Sequence, residues 1–153
     1  MKFFFTNMFS DYDPPEPLKS VLSQAVICAA DVDEVLNTIF VDIYSEEYIP
    51  QRQLETVCKD IEALYDLHAL ELSVNHPPSQ LHAIEREELL GMFVRKNSMN
   101  RASLAGSQWE WEDDTLVIRL VANGKKGLQE CVPEICMELS HRFHTNVNIR
   151  IEA

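Results

Sequence analysis

Apolar positions along this chain change their period several times, and each change marks an element. After an aromatic opening that includes Phe3-Phe4-Phe5 and Phe9, the segment Asp13-Pro14-Pro15-Glu16-Pro17 fits neither a helix nor a central strand. It sets the opening apart from the rest. Two strand-like runs follow, over 20–29 and 35–44. In the second, Ile39, Val41 and Ile43 alternate with Thr38, Phe40 and Asp42, which predicts a strand with unequal faces. Asp31-Val32-Asp33 reads as the turn between them. Pro50 suits the first turn of a helix. Leu54, Val57, Cys58, Ile61, Leu64 and Tyr65 then form one apolar stripe, with Glu55, Lys59, Asp60 and Glu62 on the other side. Leu70, Leu72 and Val74 alternate as a strand that His76-Pro77-Pro78-Ser79 ends.

The second half begins with a predicted helix over 82–96, carrying Ile84, Leu89, Met92 and Phe93, and a shorter helical piece over 99–105. Trp109-Glu110-Trp111-Glu112, then Asp113-Asp114, then 115–121 reads as a β-hairpin. A last helix carries Leu128, Val132, Ile135, Cys136, Leu139 and Phe143, kinked or restarted at Pro133, and Val147, Ile149 and Ile151 form a final strand.

The two halves repeat one another. Val57-Cys58-Lys59-Asp60-Ile61 followed by Tyr65 matches Ile135-Cys136-Met137-Glu138-Leu139 followed by Phe143, each behind a strand pair and ahead of one more strand. The predicted fold is α+β: a leader over 1–17, a β-β-α-β lobe over 18–78, and a second over 79–153 with an added N-terminal helical segment. Val57, Ile61, Leu64, Ile135, Leu139 and Phe143 are the expected core.

Charge narrows the function classes. The chain of 153 residues has a net charge of −12. Residues 1–80 hold 4 basic and 14 acidic groups, giving −10, whereas 81–153 hold 9 and 11, giving −2. An acidic surface repels a polyanion, so only the second half could touch nucleic acid. No apolar run approaches the ~20 residues of a membrane span. The opening lacks the apolar run and small-residue cleavage site of a signal peptide, which points to the cytoplasm. Cys28, Cys58, Cys131 and Cys136 include no C-x-x-C pair, so neither a disulfide framework nor a zinc site is expected.

Candidate chemistry is sparse. Asp113-Asp114 and Glu46-Glu47 are adjacent acids whose side chains diverge, as turn residues do. His141 and His144 lie i, i+3 on a helix end without a third ligand at matching spacing. No serine sits in a nucleophile elbow. Trp109 and Trp111 share a strand face and read as hairpin stabilisers. Asn123-Gly124-Lys125-Lys126-Gly127 reads as a strand-to-helix turn with exposed lysines. Together with Arg95, Lys96 and Arg101, Lys125 and Lys126 form the one candidate nucleic-acid-binding patch. No catalytic residue, metal site or cofactor is expected.

The hairpin 109–118, the following Leu120-Val121-Ala122-Asn123 and the helix ending Leu139-Ser140-His141-Arg142-Phe143 resemble domain V of the bacterial clamp-loader τ subunit and domain I of the initiator DnaA. Both are small KH-like protein-interaction domains. The first half, with Leu36-Asn37-Thr38-Ile39-Phe40-Val41-Asp42-Ile43 ahead of Pro50 and its helix, resembles the segment preceding such a domain in PolC-type DNA polymerase III α subunits. The resemblance spans 18–153. It departs from the pattern at Met92-Phe93, where a polar or second aromatic residue would precede the phenylalanine. It implies two KH-like lobes forming the non-catalytic N-terminal region of a polymerase whose other parts carry polymerase and 3′–5′ exonuclease activity. The expected partners are replisome proteins (clamp loader, helicase or primase), with DNA contact weak or indirect and no membrane involved. A strand ending at Glu152-Ala153 fits a fragment of a longer polypeptide. The alternative is a KH-like binder of single strands, because Gly124-Lys125-Lys126-Gly127 has the G-x-x-G pattern, although between a strand and a helix rather than between helices.

Overall fold

Hydrophobic alternation and the two matched helical stripes are realised as two β-β-α-β units. The computed structural model describes residues 2–153, which divide after Gln80. In the first unit, short helices α1 (Phe5–Met8) and α2 (Leu18–Ser23) precede β1 (Val26–Asp33) and β2 (Thr38–Tyr44). α3 (Gln51–Leu64) then crosses to β3 (Ala69–Asn75). β2 is the central strand, antiparallel to β1 and parallel to β3. Leu54, Val57 and Ile61 of α3 pack with Val41, Ile43, Leu70 and Val74 of the sheet in one buried cluster.

The aromatic opening belongs to this cluster. Phe5 and Phe9 are buried in it, Phe9 meets Tyr65 at 5.6 Å between ring centroids, and the Phe5 amide donates to the Ala25 carbonyl. Phe5 and Phe9 of the opening are therefore packed into the first unit rather than set apart. His76 is fully buried; its Nε2 accepts from the Ile49 amide at 3.4 Å, so Nδ1 carries the proton and donates to the Ser45 carbonyl at 3.0 Å. The Tyr48 amide donates to Gln80 Oε1, tying Gln80 to the first unit.

Three expectations need correction here. The run over 20–29 is divided: Leu18, Val21 and Leu22 fall at i, i+3, i+4 and form α2, and the strand starts only at Val26. Asp31-Val32-Asp33 continues β1, because its acidic residues occupy the sheet's open face. The turn lies at 34–37, where Asn37 takes a φ of 49° and Asp33 Oδ1 accepts from the Leu36 amide. Leu64 is 51% exposed, while Val57 and Ile61 are buried. At about 100° per residue it lies about 80° around α3 from Leu54, whereas Tyr65 lies about 20° away, so Tyr65 takes the last place on the stripe.

A 3-10 segment, Pro78–Ala83, carries the chain across the divide. The second unit opens with α4 (Arg86–Lys96) and α5 (Asn100–Leu104), so the helix expected over 82–96 begins only at Arg86. β4 (Gln108–Glu112) and β5 (Thr115–Arg119) form the hairpin, α6 (Lys125–Phe143) follows, and β6 (Asn148–Glu152) returns parallel to β5. Asp113, with φ 53°, turns the hairpin. α6 is one helix through Pro133 rather than two. Pro133 is exposed, so its missing amide and bulky ring fall on the solvent side. Ile135, Leu139 and Phe143 are fully buried, as are Met92 and Phe93 to within a few per cent, which leaves neither of the latter two available to a partner.

Equivalent positions in the two units have equivalent surroundings. Burial pushes the Cys58 thiol up to about 11, with Glu62 and Glu71 adding to it and the Leu72 amide working against it. Burial likewise raises the Cys136 thiol, opposed by the Ile149 amide. Leu72 and Ile149 lie on the third strand of their respective sheets, so each cysteine meets its returning strand in the same way.

Candidate functional site

Each sheet has one face packed on its long helix and one face turned away from it. On the first sheet the strand register sets two rungs on that open face: Ala29–Asp42–Ser73 and Asp31–Phe40–Glu71. Together these six residues line a shallow depression of about 330 Å³. Phe40, on the middle strand, is 42% exposed between two carboxylates. Asp42 Oδ1 accepts from Ser73 Oγ at 2.9 Å and from Asn75 Nδ2 at 2.6 Å. Both donors are neutral, so they orient the carboxylate without cancelling its charge.

No lysine or arginine occurs on β1, β2 or β3, and none of Asp31, Asp42 and Glu71 forms an ion pair among the described residues. A bulge between Ile27 and Ala29 bends β1 at Cys28, beside this depression. Burial raises the Cys28 thiol and Asp42 adds to the shift.

The second sheet treats its open face differently. Here Glu110–Val117–Arg150 form one rung, and Gln108–Arg119–Glu152 and Glu112–Thr115–Asn148 flank it. Arg119 pairs with Glu110 at 2.8 Å and Glu152 at 3.2 Å; Arg150 pairs with Glu152 at 2.9 Å and Glu112 at 3.1 Å. Arg119, by hydrogen bond and then by charge, holds the Glu110 carboxyl below the usual carboxylate range, with Arg150 adding to it. The long arms of this lattice are about half exposed, while Val117 among them is fully buried. The face is closed by its own charges.

The basic residues singled out in the sequence lie on helices of the second unit. Arg95 and Lys96 end α4, Arg101 lies on α5, and Lys125 and Lys126 open α6. All five are exposed. Lys96 is held by Glu134 of α6, which raises its pKa by hydrogen bond and charge; the other four form no ion pair among the described residues. Gly124 takes a φ of 124°, and a Cβ built there would come within 2.2 Å of Ser103 Oγ. The glycine thus lets the start of α6 lie against α5. The G-x-x-G segment is the N-cap and first turn of a helix, with Lys125 and Lys126 inside the turn.

Remaining candidates are used locally. Trp111 stacks on His82 at 5.1 Å, Arg86 lies 4.8 Å over Trp109, and Trp109 Nε1 donates to Ser107 Oγ. The indoles are thereby clad by their own unit. Asp114 accepts from Thr145 Oγ1. Among the described residues no three His, Cys, Asp or Glu side chains converge as metal ligands, and no helix is long and apolar enough to cross a membrane.

The open face of the first sheet escaped the sequence reading because its residues come from three strands and match no motif. One signal was present: strand-like segments with several carboxylates and no cation. No family model matches the chain, and no curated protein matches it in sequence.

Proposed function

We propose that the chain is a non-catalytic, cytoplasmic protein-interaction module. In this reading it is the N-terminal region of a replicative DNA polymerase III α subunit of the PolC type, where two KH-like lobes recruit or position replisome proteins. The observation that carries the interaction reading is the open face of the first sheet, an exposed aromatic ring among carboxylates that form no ion pair among the described residues. Such a surface repels a polyanion and suits a protein partner. The polymerase assignment rests on the sequence resemblance and agrees with the repeated β-β-α-β order.

The second reading, a KH-like single-strand binder, draws on Arg95, Arg101, Lys125 and Lys126, which are exposed and not ion-paired. Fluorescence anisotropy with a short single-stranded oligonucleotide across a salt series separates the two. The interaction module is expected to bind weakly or not at all at physiological salt, and to bind at least one purified clamp-loader, helicase or primase protein. Submicromolar DNA binding, steeply weakened by salt, that Lys125→Ala with Lys126→Ala abolishes would favour the second reading.

A further inference from the structure

A sheet face whose carboxylates form no ion pair carries charge that is not neutralised by a direct partner, and one that exposes an aromatic ring leaves apolar area in water. Both conditions meet at the rung Asp31–Phe40–Glu71 and its neighbour Asp42. A group that is cationic at one end and apolar along its length would relieve both. Arginine fits best: its guanidinium can stack on the Phe40 ring while pairing with a carboxylate on either side. Lysine beside an aliphatic residue offers the same combination with less directional pairing.

We propose that the open face of the first sheet is the docking surface for a basic, apolar-anchored polypeptide segment of a partner protein. This rests on the interaction-module reading and names the face and the partner's chemistry. Charge selects the occupant. The face is acidic within a unit of net charge −10, so a nucleic acid is repelled, and so is the same face of a second copy. A metal ion would need ligands converging on one point, and no such group occurs among the described residues. Asp42, fixed by Ser73 and Asn75, is oriented before a partner arrives, which lowers the cost of ordering it on binding. The second sheet could not serve in the same way, because Arg119 and Arg150 already occupy its carboxylates.

The test uses the whole chain, labelled with ¹⁵N, and a synthetic peptide alternating arginine with leucine and tryptophan. A control peptide replaces arginine with glutamate. The arginine peptide should shift amide signals of 29–31, 40–42 and 71–73, and the glutamate peptide should shift none of them. The triple variant Asp31→Asn, Asp42→Asn, Glu71→Gln should bind the arginine peptide at least about tenfold more weakly, since it removes three charge pairs at once. Asp42→Asn retains a side-chain oxygen able to accept from Ser73, so the fold should survive. Phe40→Ala, which changes no charge, should also weaken binding. A charge-matched control, Glu46→Gln, Glu47→Gln, Glu55→Gln, should leave affinity within about twofold.

Equal weakening by that control, or shifts centred on 110–119, would overturn the proposal. So would self-association that Phe40→Ala abolishes, because the face would then belong to a second copy. A clamp-loader, helicase or primase protein binding wild type and triple variant alike would overturn the face and spare the module. Peptide binding at the face with none of those three proteins bound would do the reverse, sparing the face and removing the replisome assignment.

Discussion

The two units share one chain order and one helix stripe, yet they finish their sheets in opposite ways. In the second, Arg119 and Arg150 alternate with Glu110, Glu112 and Glu152 until the face is closed over Val117. In the first, Asp31, Asp42 and Glu71 surround an exposed Phe40 with no cation on any strand. The buried positions of a β-β-α-β unit are constrained by packing and repeat closely. Open-face positions are free to diverge, and they are where the units differ in charge pairing and exposure.

The largest expected effect lies in the part the units share. Phe143→Ala should cost the second unit about 3–5 kcal/mol, as for other large buried aromatics. Both tryptophans, Trp109 and Trp111, belong to that unit, so urea unfolding followed by tryptophan emission reads it selectively. Leu64→Ala in the first unit, followed by far-UV circular dichroism, should cost under about 1 kcal/mol because the side chain is half exposed. A loss below about 1 kcal/mol for Phe143→Ala would mean that the two helix stripes are not equivalent.

A smaller effect tests what is peculiar to the second unit. Gly124→Ala should cost about 1–3 kcal/mol, since it places a Cβ both at a positive φ and against Ser103. Adding Ser103→Gly should recover the part due to the clash and leave the part due to φ. Full recovery would show that the backbone conformation is not strained for alanine.

The smallest effect concerns the lattice that closes the second sheet. Glu110 is held below its ordinary range, so the stability it contributes is present above its unfolded pKa and is lost as pH falls through the folded value. That window lies below about pH 4, the ordinary glutamate range. Arg119→Gln should return the Glu110 carboxyl toward its ordinary titration in a carbon-detected NMR series, and its small stability loss should be seen at neutral pH and vanish as pH falls through that window. An unchanged Glu110 titration would show that the Arg119 contact is not maintained in solution.

Much of the fold was legible because buried residues leave a periodic trace. The stripes of α3 and α6, the alternation of β2 and β3 and the hairpin at Asp113-Asp114 could all be read from spacing. The misreadings fall where the trace is ambiguous. Leu18, Val21 and Leu22 make a helix too short to dominate its window, and the acidic residues of β1 imitate a turn because their strand face is open to water. Leu64 sits one step past the edge of the stripe. The candidate site was illegible for a different reason. Asp31, Phe40 and Glu71 are 9 and 31 positions apart in sequence and become neighbours only through strand register. The basic residues, by contrast, were visible as sequence clusters, yet Lys96 turns out to be neutralised by Glu134 from a distant part of the chain.

The contrast between the two open faces is tested most directly by mapping surface potential with soluble paramagnetic probes. Amide relaxation in the ¹⁵N-labelled chain would be compared between a cationic and a neutral nitroxide at low salt, where exposed charges are least screened. A clear excess for the cationic probe is expected at 29–31, 40–42 and 71–73, with none at 110–112, 115–119 and 148–152. Equal ratios on the two sheets would contradict the account, because both open faces would then be equally neutralised in solution.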